Sequence, residues 1–217
     1  MTEDTDQRST LNIYLKKIKN TLSKLAVLSP KGLPGLVKAF LVGSLYCLYY
    51  NTFAGNVRIG FPFLVFAPFK ISGPGAVVIG KRCNIMCNVF RGVHLATLSP
   101  RAVIHIGERS SLGGVTIRAK NRIIIESNLL AAYSLIQDQM FSYLDGEETD
   151  AAGEIHIGKN VWVGGQACVL GGSVLAENDV IALGAVTNGT FRQNCIVSGN
   201  PAKRGVPLDL FLRKAPC

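Results

Sequence analysis

Histidine is scarce in this chain. There are three in 217 residues, His94, His105 and His156, and their wide separation lacks the close spacing of a metal centre, so no metal is expected. Six cysteines are present, but Cys83-x-x-x-Cys87 is not a usual zinc or redox spacing. No secretory segment opens the sequence, and with unpaired thiols this leads us to expect a reducing, cytoplasmic location. Charged residues make up only 17%. Neither a paired-cysteine finger nor a helix-turn-helix pattern accompanies the formal charge of +9, which argues against nucleic acid as a partner. An anionic small molecule or an anionic lipid surface is the better reason for the excess Lys and Arg. The 23 glycines lack the every-third spacing of collagen and suit a chain with many corners. Gly113-Gly114 and Gly171-Gly172 are read as corner residues, since no nucleotide-binding spacing follows them.

What the sequence does have is a period of six. From Ile157 to Val186 it reads Ile157-Gly-Lys-Asn-Val-Trp, Val163-Gly-Gly-Gln-Ala-Cys, Val169-Leu-Gly-Gly-Ser-Val, Leu175-Ala-Glu-Asn-Asp-Val and Ile181-Ala-Leu-Gly-Ala-Val. An amphipathic helix repeats near 3.6 and a strand near 2, so a third geometry is needed. Short strands that turn a corner every six residues provide it, three of them closing a triangular coil of about 18 residues. The aliphatic at position one points inward, and small residues at position two (Gly158, Gly164, Ala176, Ala182) allow a tight corner. Position five (Val161, Ala167, Ser173, Asp179, Ala185) also faces a narrow interior, where Asp179 fits poorly.

These sixes, followed by Gly199-Asn200-Pro201-Ala202-Lys203, resemble the hexapeptide-repeat acyltransferase family over residues 55–206. Within that family the chain is most similar to the capsule, lipopolysaccharide and exopolysaccharide O-acetyltransferases. The resemblance implies a left-handed parallel β-helix, an all-β solenoid, assembled as a homotrimer. It implies acetyl transfer from acetyl-CoA to a sugar hydroxyl, with a glycan acceptor.

Three regions follow. Residues 1–54 form an N-terminal helical segment, with one apolar face over Leu11–Leu28, breakers at Pro30, Gly32 and Pro34, and a second apolar segment over Leu36–Tyr50. That second segment is short of the roughly 20 residues that cross a bilayer. It suits either packing on the end of the solenoid or on a sister subunit, or a peripheral foot on the cytoplasmic face of a membrane beside the lysines of the first helix. Residues 55–206 form the β-helix, with an irregular aromatic edge over 61–78 and a long loop over 138–154. Residues 207–217 form a short helix from Pro207 that caps the open end.

Acetyl transfer needs a base for the acceptor hydroxyl, a donor for the developing oxyanion, and a groove that aligns the substrates. The resemblance places Trp162, Gly165 and Ala185 along the groove and Asn200, Pro201 and Lys203 near its nucleotide end, with Arg204 adjacent. Related enzymes carry Asp-x-Asp-Phe-His where the long loop begins. This chain has Asp138-Gln139-Met140-Phe141-Ser142, so the usual catalytic histidine is replaced by Ser142. His105 and His156 each precede an inward isoleucine, and Ile124 holds the same slot on the coil between them. His156 sits where the long loop rejoins the prism, so a relocated base is expected there, oriented by Asp138. The alternative is a β-helix trimer that binds CoA or a glycan without the reaction.

Overall fold

A computed structural model describes residues 32–86, 92–139 and 153–207. Its twenty strands stack into three sheets that form the faces of a triangular prism. The first face holds β1 (Val57–Ile59), β4 (Ala76–Ile79), β7 (Val103–Ile106), β10 (Arg122–Ile125), β13 (Ile155–Ile157) and β16 (Val174–Leu175). The second holds β2 (Phe63–Val65), β5 (Cys83–Ile85), β8 (Ser111–Gly113), β11 (Leu130–Ala132), β14 (Trp162–Val163), β17 (Val180–Ile181), β19 (Cys195–Gly199) and β20 (Ala202–Pro207). The third holds β3 (Phe69–Ser72), β6 (Val93–Thr97), β9 (Thr116–Ala119), β12 (Leu135–Gln137), β15 (Cys168–Leu170) and β18 (Val186–Thr187). Neighbours within a face are parallel and come from successive coils, except that β20 folds back antiparallel on β19. The molecule is a parallel β-helix of six coils followed by that hairpin.

The period of six maps directly onto this geometry. Alternate residues of each short strand point inward, so positions five and one of each six stack in columns. On the first face Val57, Val77, Ile104, Ile123 and Ile155 form one such column, and Ile59, Ile79, Ile106, Ile125 and Ile157 the next. Each of these residues is 3% exposed or less. Small residues at position two allow the corners to nest. A Cβ on Gly107 would stand 2.5 Å from the Glu126 carbonyl carbon, and one on Gly80 would stand 2.6 Å from the Glu108 nitrogen.

Three sequence expectations are corrected. Residues 61–78 are not an irregular edge but the second and third strands of a regular first coil and the start of the next. Phe63 and Phe69 fill its interior edge to face at 5.5 Å. Pro62, Pro68 and Pro74 recur every six residues between the strands, where no N–H is needed. The carbonyls of Pro62 and Pro68 still accept from Arg82 N and Val93 N in the coil above.

The N-terminal helix α1 runs Gly32–Phe53, 22 residues rather than the 15 of Leu36–Tyr50. Pro34 does not break it, because it falls in the first turn, whose N–H groups have no intrahelical acceptor. At this length, with a mean hydropathy of 1.4 in its most apolar window, α1 is long and apolar enough to cross a membrane by length and composition. The expected helix over Leu11–Leu28 lies outside the described residues, as does the cap over 208–217; β20 carries the chain extended to Pro207.

Cysteine packs as a small hydrophobe inside the coils at Cys83 and Cys195. Burial pushes the Cys83 thiol up to about 11, which leaves it inert as a nucleophile. At Cys168, by contrast, the strand turns Ala167 and Val169 inward and the cysteine outward. Cys87 lies outside the described residues.

Candidate active site

Outward side chains of stacked coils also form columns, one residue per coil about 4.8 Å apart. On the second face one column runs Leu130, Trp162, Val180 and Ile196 through β11, β14, β17 and β19. Trp162 is 50% exposed. At the corner after β14, a Cβ on Gly165 would meet Leu183 Cδ1 at 3.2 Å, so Gly165 leaves room for Leu183, which is exposed as Trp162 is. The column ends under the β19–β20 hairpin. Its turn carries exposed Asn200 and Pro201, and Lys203 lies opposite Ser198. Arg204 follows on β20. Strand β20 is three strand spacings, about 14 Å, from β14. Trp162, Gly165, Asn200, Pro201 and Lys203 are therefore neighbours along one face and its corner.

Ala185 does not join them. It is fully buried as part of the inward position-five column, and its carbonyl accepts from Cys168 N at 2.8 Å. The expectation that it lines the groove is corrected by strand alternation, which turns position five into the prism.

Beside the hairpin is a cavity of about 440 Å³, lined by Asn188, Thr190, Phe191, Arg192, Ala202 and Gly205. It combines an aromatic ring, a guanidinium and short polar side chains, a chemistry suited to a base and phosphate.

The imidazoles lie on two other faces. His156 projects outward from β13, on the same coil as Trp162 but across a corner. Its Nε2 is 3.3 Å from Glu126 Oε1 of the coil below, with both side chains exposed. The register confirms Ile124 between His105 and His156. Asp138 does not reach His156. It is fully buried, Oδ1 accepting from Lys120 N at 2.7 Å and Oδ2 from Asn121 N at 2.8 Å. Two backbone N–H groups at the corner between β9 and β10 occupy its two oxygens, so its expected pairing with His156 gives way to Glu126. Ser142 lies outside the described residues.

On the third face His94 Nε2 is 2.8 Å from Ser72 Oγ. Partial burial, then the charges of Lys70 and Arg118, hold the imidazole below the ordinary histidine value, so it is neutral and able to accept a proton at pH 7. One coil on, a groove of about 370 Å³ opens between Thr116, Arg118, Tyr133, Leu135, Gln166 and Cys168. Tyr133 turns that corner at φ 48°, a left-handed conformation that is unusual for so large a side chain. Among the described residues no three metal-ligating side chains gather.

Sequence reasoning did not single out Glu126, Ser72 or Arg192. Glu126 and Ser72 were recoverable, since each occupies a coil slot that stacks on or near a histidine one coil away. Arg192 was not, because the period of six stops before it.

No family model matches the chain. It is 39% identical over 61 residues to "Putative acetyltransferase SAV2555" of Staphylococcus aureus (strain Mu50 / ATCC 700699), covering 28% of this chain and 31% of that protein. Over 49 residues it is 39% identical to a "Putative acetyltransferase" of Saccharomyces cerevisiae (strain ATCC 204508 / S288c), covering 23% and 25%. These matches span about a third or less of the curated relatives' length. Among solved structures, a mutant of AntD, an N-acyltransferase from Bacillus cereus in complex with dTDP and coenzyme A, aligns at 14% identity and a TM-score of 0.46, over 77% of this chain and 95% of that one. A galactoside acetyltransferase in complex with coenzyme A aligns at 16% identity and a TM-score of 0.36, over 78% and 80%.

Proposed function

We propose that this protein transfers an acetyl group from acetyl-CoA to a hydroxyl of a sugar acceptor, in the building of a cell-surface polysaccharide, as a homotrimer. The observation that carries the reading is the stretch 39% identical to an acetyltransferase-named protein in a chain wound as a parallel β-helix. The outward apolar column of the second face suits the pantetheine arm beside Trp162 and Gly165. The cavity at Arg192, with Lys203 and Arg204 on the adjoining hairpin, suits the nucleotide phosphates.

In this reading His156 Nε2 takes the acceptor hydroxyl's proton while that oxygen attacks the thioester carbonyl. Glu126 favours the imidazolium that forms. Collapse of the tetrahedral intermediate expels the CoA sulfur, which receives the proton back, so no acyl-enzyme forms and no metal is required. His156 and Trp162 share a coil, which brings base and thioester to adjoining faces.

A second reading is favoured by a specific observation: Ser142 stands where related enzymes carry histidine, and Asp138 is spent on backbone N–H groups. On that reading the trimer binds CoA or a glycan without turnover. Thiol release from acetyl-CoA with a panel of sugars and oligosaccharides, together with calorimetric titration of CoA, separates the two. Turnover lost by about 100-fold or more in His156→Ala supports the first. Unchanged turnover in that variant removes His156 and makes His94→Ala the next test. CoA binding without turnover supports the second, and no CoA binding ends both.

A further inference from the structure

Among the described residues, the helix and first two coils carry Lys38, Arg58, Lys70, Lys81, Arg82 and Arg101 and no carboxylate, beside the largest run of exposed apolar side chains. Residues 7–107 contain thirteen Lys and Arg and no Asp or Glu, whereas residues 108–217 contain ten Lys and Arg against eleven Asp and Glu. The whole formal charge of +9 therefore resides in the N-terminal half, which includes α1 and the first two coils.

Helix α1 is fastened side-on to the first coil. Its small residues Ala39, Gly43 and Cys47 are buried, and the helix packs on β1 and β2. Gly43 allows contact so close that a Cβ there would stand 1.8 Å from the Phe63 carbonyl oxygen. Tyr46 donates to the Phe69 carbonyl at 3.0 Å. The Asn51 amide holds both Ile59 N, at 2.8 Å, and Ile59 O, at 2.9 Å. These contacts run from residue 39 to residue 51, so the helix lies across the prism rather than standing away from it.

The opposite face of α1 has no partner among the described residues. Leu41, Leu45, Leu48 and Phe53 are between 57% and 77% exposed. Phe61, from the corner between β1 and β2, packs edge to face on Phe40 at 5.6 Å and extends the patch beyond the helix. Leu33, Val37, Leu41 and Leu45 line a groove of about 590 Å³ with Lys38 at its edge. A contiguous exposed aliphatic surface of this kind marks a docking face.

We infer that this end of the prism seats on an anionic lipid bilayer, with α1 in the plane of the membrane. Leu41, Leu45, Leu48 and Phe53 enter the boundary between headgroups and acyl chains, while Lys38 and Arg58 meet the anionic headgroups. The charge pattern selects lipid as the occupant, because a stretch free of carboxylates from residue 7 to residue 107 complements a uniformly negative plane. The side-on attachment selects lying over crossing, since a spanning helix would have to give up Gly43, Tyr46 and Asn51. The inference is independent of the acyl-transfer reading.

The test is flotation of the full chain with vesicles of phosphatidylcholine alone or mixed with phosphatidylglycerol. The expected result is flotation with the mixed vesicles only, weakened about tenfold or more between 0.1 M and 0.5 M salt as the charges are screened. Two variants accompany it. Leu41→Glu/Leu45→Glu removes the insertion, and Lys38→Glu/Lys81→Glu removes charge from exposed positions that make none of the contacts fastening the helix. Either should stay at the bottom of the gradient while melting at the wild-type temperature. Equal flotation with neutral vesicles that survives alkaline carbonate overturns the inference in favour of a spanning helix. A protein that stays at the bottom with every vesicle overturns it too, and a doubled mass in solution that Leu41→Glu/Leu45→Glu abolishes would assign the face to a second copy.

Discussion

The two ends of the prism are built from the same winding but held by different forces. At the first coil the interior is aromatic, Phe63 against Phe69, and an apolar helix closes the end. At the sixth coil the interior turns polar. Ser173 Oγ and Thr187 Oγ1 lie 3.1 Å apart, fully buried, and Asp179 occupies a position-five slot. Asp179 accepts from Ala176 N at 2.9 Å and Cys195 N at 3.0 Å. Cys195 opens β19, the strand that carries the hairpin, so Asp179 attaches the terminal hairpin to the stack. Outside, Asn128, Asn160, Asn178 and Asn194 hydrogen-bond in sequence up one corner, each at positive φ. Apolar filling is forgiving of exact position, whereas these polar contacts specify register; the end with the candidate binding cavity is the one held by register.

Four perturbations should separate the ends, in descending order of effect. Phe63→Ala empties the first coil and should cost about 3–5 kcal/mol, read as a lowered midpoint in denaturant, with hydrogen exchange accelerated first in β1–β3. Gly43→Ala places a Cβ against the Phe63 carbonyl and should lift α1 at a cost of about 2–3 kcal/mol, with β17–β19 keeping their exchange protection. If that protection falls equally, the ends are not separable. Asp179→Ala leaves two N–H groups without their acceptor and should cost about 2 kcal/mol, weakening CoA binding at the hairpin while leaving α1 seated.

The smallest effect is a pH dependence. His94 has its folded value below the ordinary 6.5, so the folded state favours the neutral ring. Its contribution is fully present above 6.5 and is lost as pH falls from there through the lowered folded value. Thermal melts of His94→Gln should therefore show a flatter decline below pH 6.5 than the wild type, and an identical decline would place the titration elsewhere.

The winding was legible because six-residue periodicity is a local pattern, repeated often enough that no single exception hides it. The exceptions are instructive. The first coil was misread because Phe63 and Phe69 stand where later coils carry smaller residues, although Pro62, Pro68 and Pro74 keep the period. Asp179 looked misplaced because one of its two partners, the N–H of Cys195, arrives only after the chain has completed another turn, while the other, Ala176 N, is local.

The candidate site divides in the same way. Trp162 and Gly165 fall in repeat slots that predict their face, whereas Lys203 lies past the last six and was placed by the family resemblance alone. The partners of the charged groups could not be placed from the repeat. Asp138 was expected to pair with His156, and only the closed corner between β9 and β10 decided for backbone N–H groups. His156 received Glu126 from the coil below, 30 positions earlier in sequence.

By itself, then, the sequence determined the coil, the inward columns and the corners, because these depend on side-chain size at a regular spacing. The tertiary structure alone decided which carboxylate meets which donor and which face of α1 is covered. Those outcomes depend on distances between coils, and a hydrogen bond made or missed within an ångström leaves no trace in composition or period.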